Sequence, residues 1–141
     1  MDLQSIISEV KTLARETGRF IAEQRKNFDS SRVESKQSHD YVSYVDKECE
    51  RMIVSRLKEI LPQAGFITEE KTIAQDDGNK ELYWIVDPLD GTTNFIHDLA
   101  PYSVSIALRD SKDLLLGVVY EVTRDELYSA AKGQGDRKST R

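Results

Sequence analysis

Apolar residues recur at near-helical spacing along the first 28 positions. Leu3, Ile6, Ile7, Val10, Leu13, Ala14, Phe20 and Ile21 are separated by Glu, Lys and Arg, which predicts an amphipathic helix over residues 2–28. Asp2 stands where an N-cap belongs, and Gly18 breaks the stripe in a way that points to close packing. Residues 29–39 (DSSRVESKQSH) are polar and lack helical period apart from Val33, so they read as a loop or weak hairpin suited to a mobile lid. A second helix is predicted over about 42–61, with Val45, Cys49, Met52, Ile53, Leu57 and Ile60 as its apolar face and Pro62 as its stop.

Beyond Pro62 the period shortens. Gly65-Phe66-Ile67 reads as a short strand leading into Thr68-Glu69-Glu70, and Asp76-Asp77-Gly78-Asn79 carries turn chemistry. Tyr83-Trp84-Ile85-Val86 is an unbroken apolar run, as in a strand buried on both faces. Residues 102–109, 114–122 and 126–131 read as three further strands. They are joined by the turn-like segments Asp110-Ser111-Lys112-Asp113 and Thr123-Arg124-Asp125. Links this short favour an antiparallel meander. Two helices followed by about five strands predict an α+β fold, with two N-terminal helices packed on a mostly antiparallel sheet.

Composition narrows the function classes. Twenty basic and twenty-five acidic residues give a net charge of −5 over 141 residues. The plain meaning of that balance is solubility, and it argues against a nonspecific nucleic-acid binder, whose phosphate contacts need Lys and Arg. Cys49 is the single cysteine, so no intrachain disulfide forms, as suits a reducing compartment. It reads as a buried structural thiol rather than a nucleophile, because charged residues flank it and no histidine lies near in sequence. There is no basic leader followed by an apolar core and no run of about 18 apolar residues to cross a bilayer. The expectation is a cytoplasmic protein without membrane partners.

The chemistry concentrates in Trp84 to Phe95, WIVDPLDGTTNF. An apolar strand delivers Asp87; Pro88 stiffens the exit; Asp90 comes three residues later, and Gly91 permits a tight turn with close backbone approach. Thr92, Thr93 and Asn94 offer hydroxyls and N–H groups at the start of a short helix. Two carboxylates aimed into one space repel, and a divalent cation such as Mg²⁺, which takes few protein oxygens plus water and phosphate oxygens, relieves that repulsion. A metal beside backbone N–H groups is the equipment of phosphate-ester hydrolysis. Asp-Pro and Asp-Gly are also common loop dipeptides, so an ordinary turn stays open on these residues alone. Glu69-Glu70 ends another strand as a second acidic pair, and such a pair is usually solvated. His97 reads as a surface or helix-end histidine, and His39 has no partner motif.

GFITEE, WIVDPLDGTTNF and PYSVSIAL together resemble the inositol monophosphatase family. The resemblance runs from the first helix to Ala131-Lys132-Gly133-Gln134-Gly135 and spans about the first half of a typical member, so residues 1–135 correspond to the N-terminal metal- and phosphate-binding part and residues 136–141 read as an atypical basic tail. It implies the first half of a layered α/β sugar-phosphatase fold, and a phosphoric monoester hydrolase that cleaves a phosphorylated polyol, above all inositol monophosphate, with Mg²⁺-activated water. By resemblance Glu69, Asp87 and Asp90 bind metal and Leu89 adds its backbone carbonyl. Asp90, Gly91, Thr92 and Thr93 face the substrate. Thr92 with Asp46 orients the attacking water, Glu70 stands near a further water, and Lys36 belongs to the mobile loop. Asp46 without the resemblance is a plain helix-surface acid. The same scaffold also carries fructose-bisphosphatase and nucleotide 3′-phosphatase activities, and a non-catalytic metal- or phosphate-binding role is the alternative of another class. Family members often form homodimers. The family's further metal-binding aspartate, in a Trp-Asp motif of the C-terminal half, has no counterpart in these residues, which predicts little phosphatase activity for this chain alone.

Overall fold

A computed structural model describes residues 1–28, 36–68 and 78–140, with the side chains at 36–37, 135–137 and 139–140 outside the description. Its elements are α1 (Leu3–Asn27), α2 (Lys36–Ile60), β1 (Gly65–Thr68), β2 (Tyr83–Asp90), α3 (Thr92–His97), β3 (Ser103–Arg109), β4 (Leu114–Glu121), β5 (Glu126–Ala131) and β6 (Gly135–Thr140). The strands form one six-stranded sheet in the order β1-β2-β3-β4-β5-β6. Among the described residues only the β1–β2 pair is parallel. Every later neighbour is antiparallel, as short links require.

Local chemistry explains the helix bounds. Asp2 caps α1 through its carboxylate, which accepts from the Gln4 and Ser5 N–H groups at 3.1 and 3.4 Å. The stripe Ile6, Val10, Leu13, Ala14 and Ile21 is buried, as its spacing predicts. Gly18 lies against the Tyr120 ring of β4, where a Cβ would come within 2.2 Å of the ring edge. The glycine in the stripe therefore lets α1 settle on the sheet.

Two departures from the sequence reading stand out. α2 begins at Lys36, so residues 36–39 are helical rather than loop. Ser38 is buried and polar, so burial does not follow the apolar period at that end. Gly135–Thr140 pairs with β5 as an edge strand, where a basic tail was expected from residue 136. Charged side chains, Lys above all, are common on strands that end a sheet.

Alternate strand residues, Trp84, Val86, Val104, Ile106, Leu108, Leu116, Val118 and Tyr120, join the helix stripes in one core cluster. The other sheet face carries Ile67, Ile85, Val119 and Tyr128, which are 42, 37, 38 and 41% exposed. The run Tyr83–Val86 is therefore not buried on both faces as its composition suggested: Ile85 points outward.

Candidate metal- and phosphate-binding site

β2 is longer than its apolar run, because it continues through Asp87-Pro88-Leu89-Asp90. Asp87 pairs with Ser105 and Asp90 with Ser103, so three steps on β2 span two on β3 and the register shifts between the two acids. That is a bulge of one extra residue. Pro88, which has no N–H to give to a ladder, falls inside it, where a strand proline is tolerated.

The bulge has a direct consequence for the acids. In a regular strand, residues three apart point to opposite faces. Ser103 and Ser105 are two apart and share a face, and residues directly opposite in a ladder share a face too. Asp87 and Asp90 therefore emerge on one side of the sheet, the side opposite the helical core. Pro88 and Leu89 are both buried between them, and Leu89 anchors that backbone in the core at 2% exposure.

Gly91 follows at φ 92°, ψ 44° and serves as the N-cap of α3 with no side-chain cap bond. A Cβ there would meet the Pro101 carbonyl oxygen at 2.7 Å and the Tyr102 Cα at 3.3 Å. Both the left-handed backbone and the close approach demand glycine. The first hydrogen bond of α3 runs from the Phe95 N–H to the Gly91 carbonyl at 2.9 Å, so the earlier amides of Thr92, Thr93 and Asn94 are not used within the helix. Asn94 Nδ2 donates to the Pro101 carbonyl at 2.8 Å and ties the turn to the segment behind it. The far end of α3 is held as well: Tyr102 packs edge-on against Phe95, Phe28, the C-cap of α1, stacks on Phe95, and Arg25 Nε lies 3.6 Å from the Asp98 carboxylate.

Asp46 is buried on α2, a helix that packs on β2 and touches α3. It is thus not the surface acid that its position alone suggested. One turn later Glu50 is fully buried on the same helix, a feature no sequence signal marked. Cys49, between them, is a buried thiol as expected, and burial, then the charges of Asp46 and Glu48, push its pKa far up. His97 is the exposed last residue of α3 and His39 is exposed on α2. Ser103 and Ser105, opposite the two acids, were overlooked; the alternation Ser-Val-Ser-Ile in β3 could have pointed to them. Glu69 and Glu70 lie outside the described residues, as does the side chain of Lys36.

The donor set suits a hard divalent cation. Two carboxylates on one face, flanking a core-anchored backbone segment, are ligands of the kind Mg²⁺ accepts in small number. Among the described residues no group of three or more His, Cys, Asp or Glu gathers, so these residues contribute a pair and no larger cluster.

Two helices on a mostly antiparallel sheet, with an acidic bulge running into a glycine turn, make up an α+β layer of the sugar-phosphatase kind. The inositol monophosphatase family profile matches residues 2–140, and the chain belongs to that family. It is 39% identical over 122 residues to Nus factor SuhB of Escherichia coli (strain K12), covering 86% of this chain and 45% of that protein. It is 34% identical over 135 residues to the inositol-1-monophosphatase of Mesorhizobium japonicum, covering 96% and 50%. The solved inositol monophosphatase II of Staphylococcus aureus MSSA476 superposes with a TM-score of 0.80 at 29% identity, over 95% of this chain and 49% of that one. The chain spans about half the length of the curated relatives it matches. Among the described residues, no helix is long and apolar enough to cross a membrane.

Proposed function

We propose that this chain supplies the metal- and phosphate-binding half of a Mg²⁺-dependent phosphate monoesterase acting on a phosphorylated polyol, inositol monophosphate first. The observation that carries the reading is the bulge at Pro88, which turns Asp87 and Asp90 to the same face immediately before a glycine-only turn. Asp87 and Asp90 hold Mg²⁺ through carboxylate oxygens, with the Leu89 carbonyl and Glu69 as further ligands. When bound, Mg²⁺ lowers the pKa of a water and offsets charge on the phosphate. The Gly91 and Thr92 N–H groups donate to phosphate oxygens, and Thr93 lines the same turn. The Thr92 hydroxyl orients the attacking water and passes its proton toward Asp46, which is buried on α2. Glu70 assists at a second water. The threonine at position 93, where nucleotide-type relatives tend to carry lysine, favours a cyclitol or sugar phosphate over a nucleotide.

The test is Mg²⁺ calorimetry on this chain, with phosphate release from inositol monophosphate by a family-length polypeptide that contains it. Asp90→Asn is expected to remove both saturable Mg²⁺ binding and turnover. Normal rates in that variant refute the assignment. The name Nus factor, borne by the Escherichia coli relative, favours one second reading, a binding role without turnover. Mg²⁺ binding that persists while every tested phosphate ester is left intact in the family-length polypeptide selects it. Homodimers and a cytoplasmic setting remain part of the proposal for the whole protein.

A further inference from the structure

Glu121, the last residue of β4, is a charged side chain only 7% exposed, and buried carboxylates need dedicated partners. Its Oε2 accepts the Arg124 N–H at 2.6 Å. Its Oε1 accepts the Thr123 hydroxyl at 2.6 Å and the Thr123 N–H at 3.3 Å, and also the N–H of Tyr102 at 3.2 Å, nineteen residues away. The first three contacts are what a tight β4–β5 turn uses. The fourth reaches out of the turn to the backbone immediately behind the candidate site.

That backbone is the seat of Gly91. The Pro101 carbonyl and the Tyr102 Cα are the atoms a Cβ at Gly91 would strike, and the Pro101 carbonyl also accepts from Asn94. The Tyr102 carbonyl accepts the Val122 N–H at 3.0 Å, so Tyr102 is held to the end of β4 from both sides of its peptide. Glu121 also opposes Ser103, which in turn opposes Asp90. The carboxylate is engaged at both oxygens, and it fixes the surface on which the Asp90-Gly91-Thr92 turn rests.

We propose that Glu121 is a positioning residue for that turn, setting the placement of Asp90 and of the Gly91 and Thr92 amides toward a divalent cation and a phosphate. The inference rests on the metal- and phosphate-binding reading above. Its test uses the whole chain and Mg²⁺ as the probe, read by the amide resonances of Asp90, Gly91 and Thr92 and by thermal melting. Thr123→Ala loses only a contact inside the β4–β5 turn and leaves the Tyr102 bond intact; it should melt earlier with Mg²⁺ affinity unchanged. Glu121→Met removes both acceptor oxygens, including the one that serves Tyr102, and should weaken Mg²⁺ binding about 10-fold, the usual scale for a partner that orients a ligand, and shift the Gly91 amide before any Mg²⁺ is added. Glu121→Asp, which keeps the charge but shortens the reach, should fall between, and it carries the test if the methionine variant does not fold. Mg²⁺ binding that is lost in Asp90→Asn yet unmoved in the Glu121 variants, or weakened equally by Thr123→Ala, overturns this inference alone. Absence of Mg²⁺ binding in the unaltered chain overturns the reading of the site and this inference with it.

Discussion

Replacing Gly91 by alanine perturbs the site by a single methyl group, and two separate costs attach to it. At φ 92° an L-residue enters the left-handed region at about 1–2 kcal/mol. The methyl also lies 2.7 Å from a backbone carbonyl oxygen and 3.3 Å from a backbone Cα, neither of which can rotate away, and overpacking of this kind costs about 1–3 kcal/mol. The sum is about 2–5 kcal/mol, a large share of the ~5–15 kcal/mol that holds a domain together. Two other glycines separate the terms. Gly133 has φ 84° with nothing within 4 Å of a Cβ, and Gly117 has open space and no unusual φ. Gly133→Ala should therefore cost about 1–2 kcal/mol, and Gly117→Ala should be neutral or stabilise by roughly 0.5–1 kcal/mol, since alanine loses less entropy than glycine in a strand. Urea denaturation of the three variants, with slopes compared to confirm like unfolding, reads all of this directly. A Gly91→Ala cost no larger than that of Gly133→Ala would show that the turn is not pressed against Pro101, and the close-approach argument would be wrong.

The Cys49 thiol, pushed up by burial and by neighbouring carboxylates, should stay unlabelled by a thiol-disulfide reagent at pH 8 in the folded chain and react at once in urea; labelling of the native chain at the rate of a free thiol contradicts the packing of α2. The carboxyls of Asp2, Asp110 and Glu126 are held below their ordinary range, chiefly by the Ser5 N–H, the Asp113 N–H and Lys138 respectively. Folded values below unfolded ones mean their stabilisation is complete above the unfolded pKa of about 4 and is lost as pH falls through the folded values. Denaturation midpoints should thus fall between pH 5 and pH 2.5, and a midpoint that holds or rises across that window refutes the assignment.

The apolar stripe of α1, its Asp2 cap and the meander after β2 were legible because each depends on residues close in sequence. Gly91 was legible for the same reason: a turn between an acid and two threonines leaves few other uses for a glycine. The first turn of α2 was not, because Ser38 is buried although polar and breaks the apolar period that marks a helix face. The outward face of Ile85 was hidden by composition: an apolar run does not record which face another layer covers. Length was the obstacle at Pro88, where proline suggests a strand's end and the bulge lets the strand continue. The single-face placement of Asp87 and Asp90 follows only from register with β3, a non-local fact. Glu121 was invisible for that reason too, since its partner at Tyr102 lies on another strand's approach.

The account stands on Asp87 and Asp90 meeting on one side of the sheet to hold a divalent cation. Substituting Mn²⁺ for Mg²⁺ and mapping paramagnetic line broadening over the amides of the chain tests it most directly. Broadening concentrated from Asp87 to Thr93 and at Ser103 and Ser105 across the ladder, and abolished in Asp90→Asn, is the predicted result. Broadening centred elsewhere, or unchanged when Asp90 loses its charge, contradicts it.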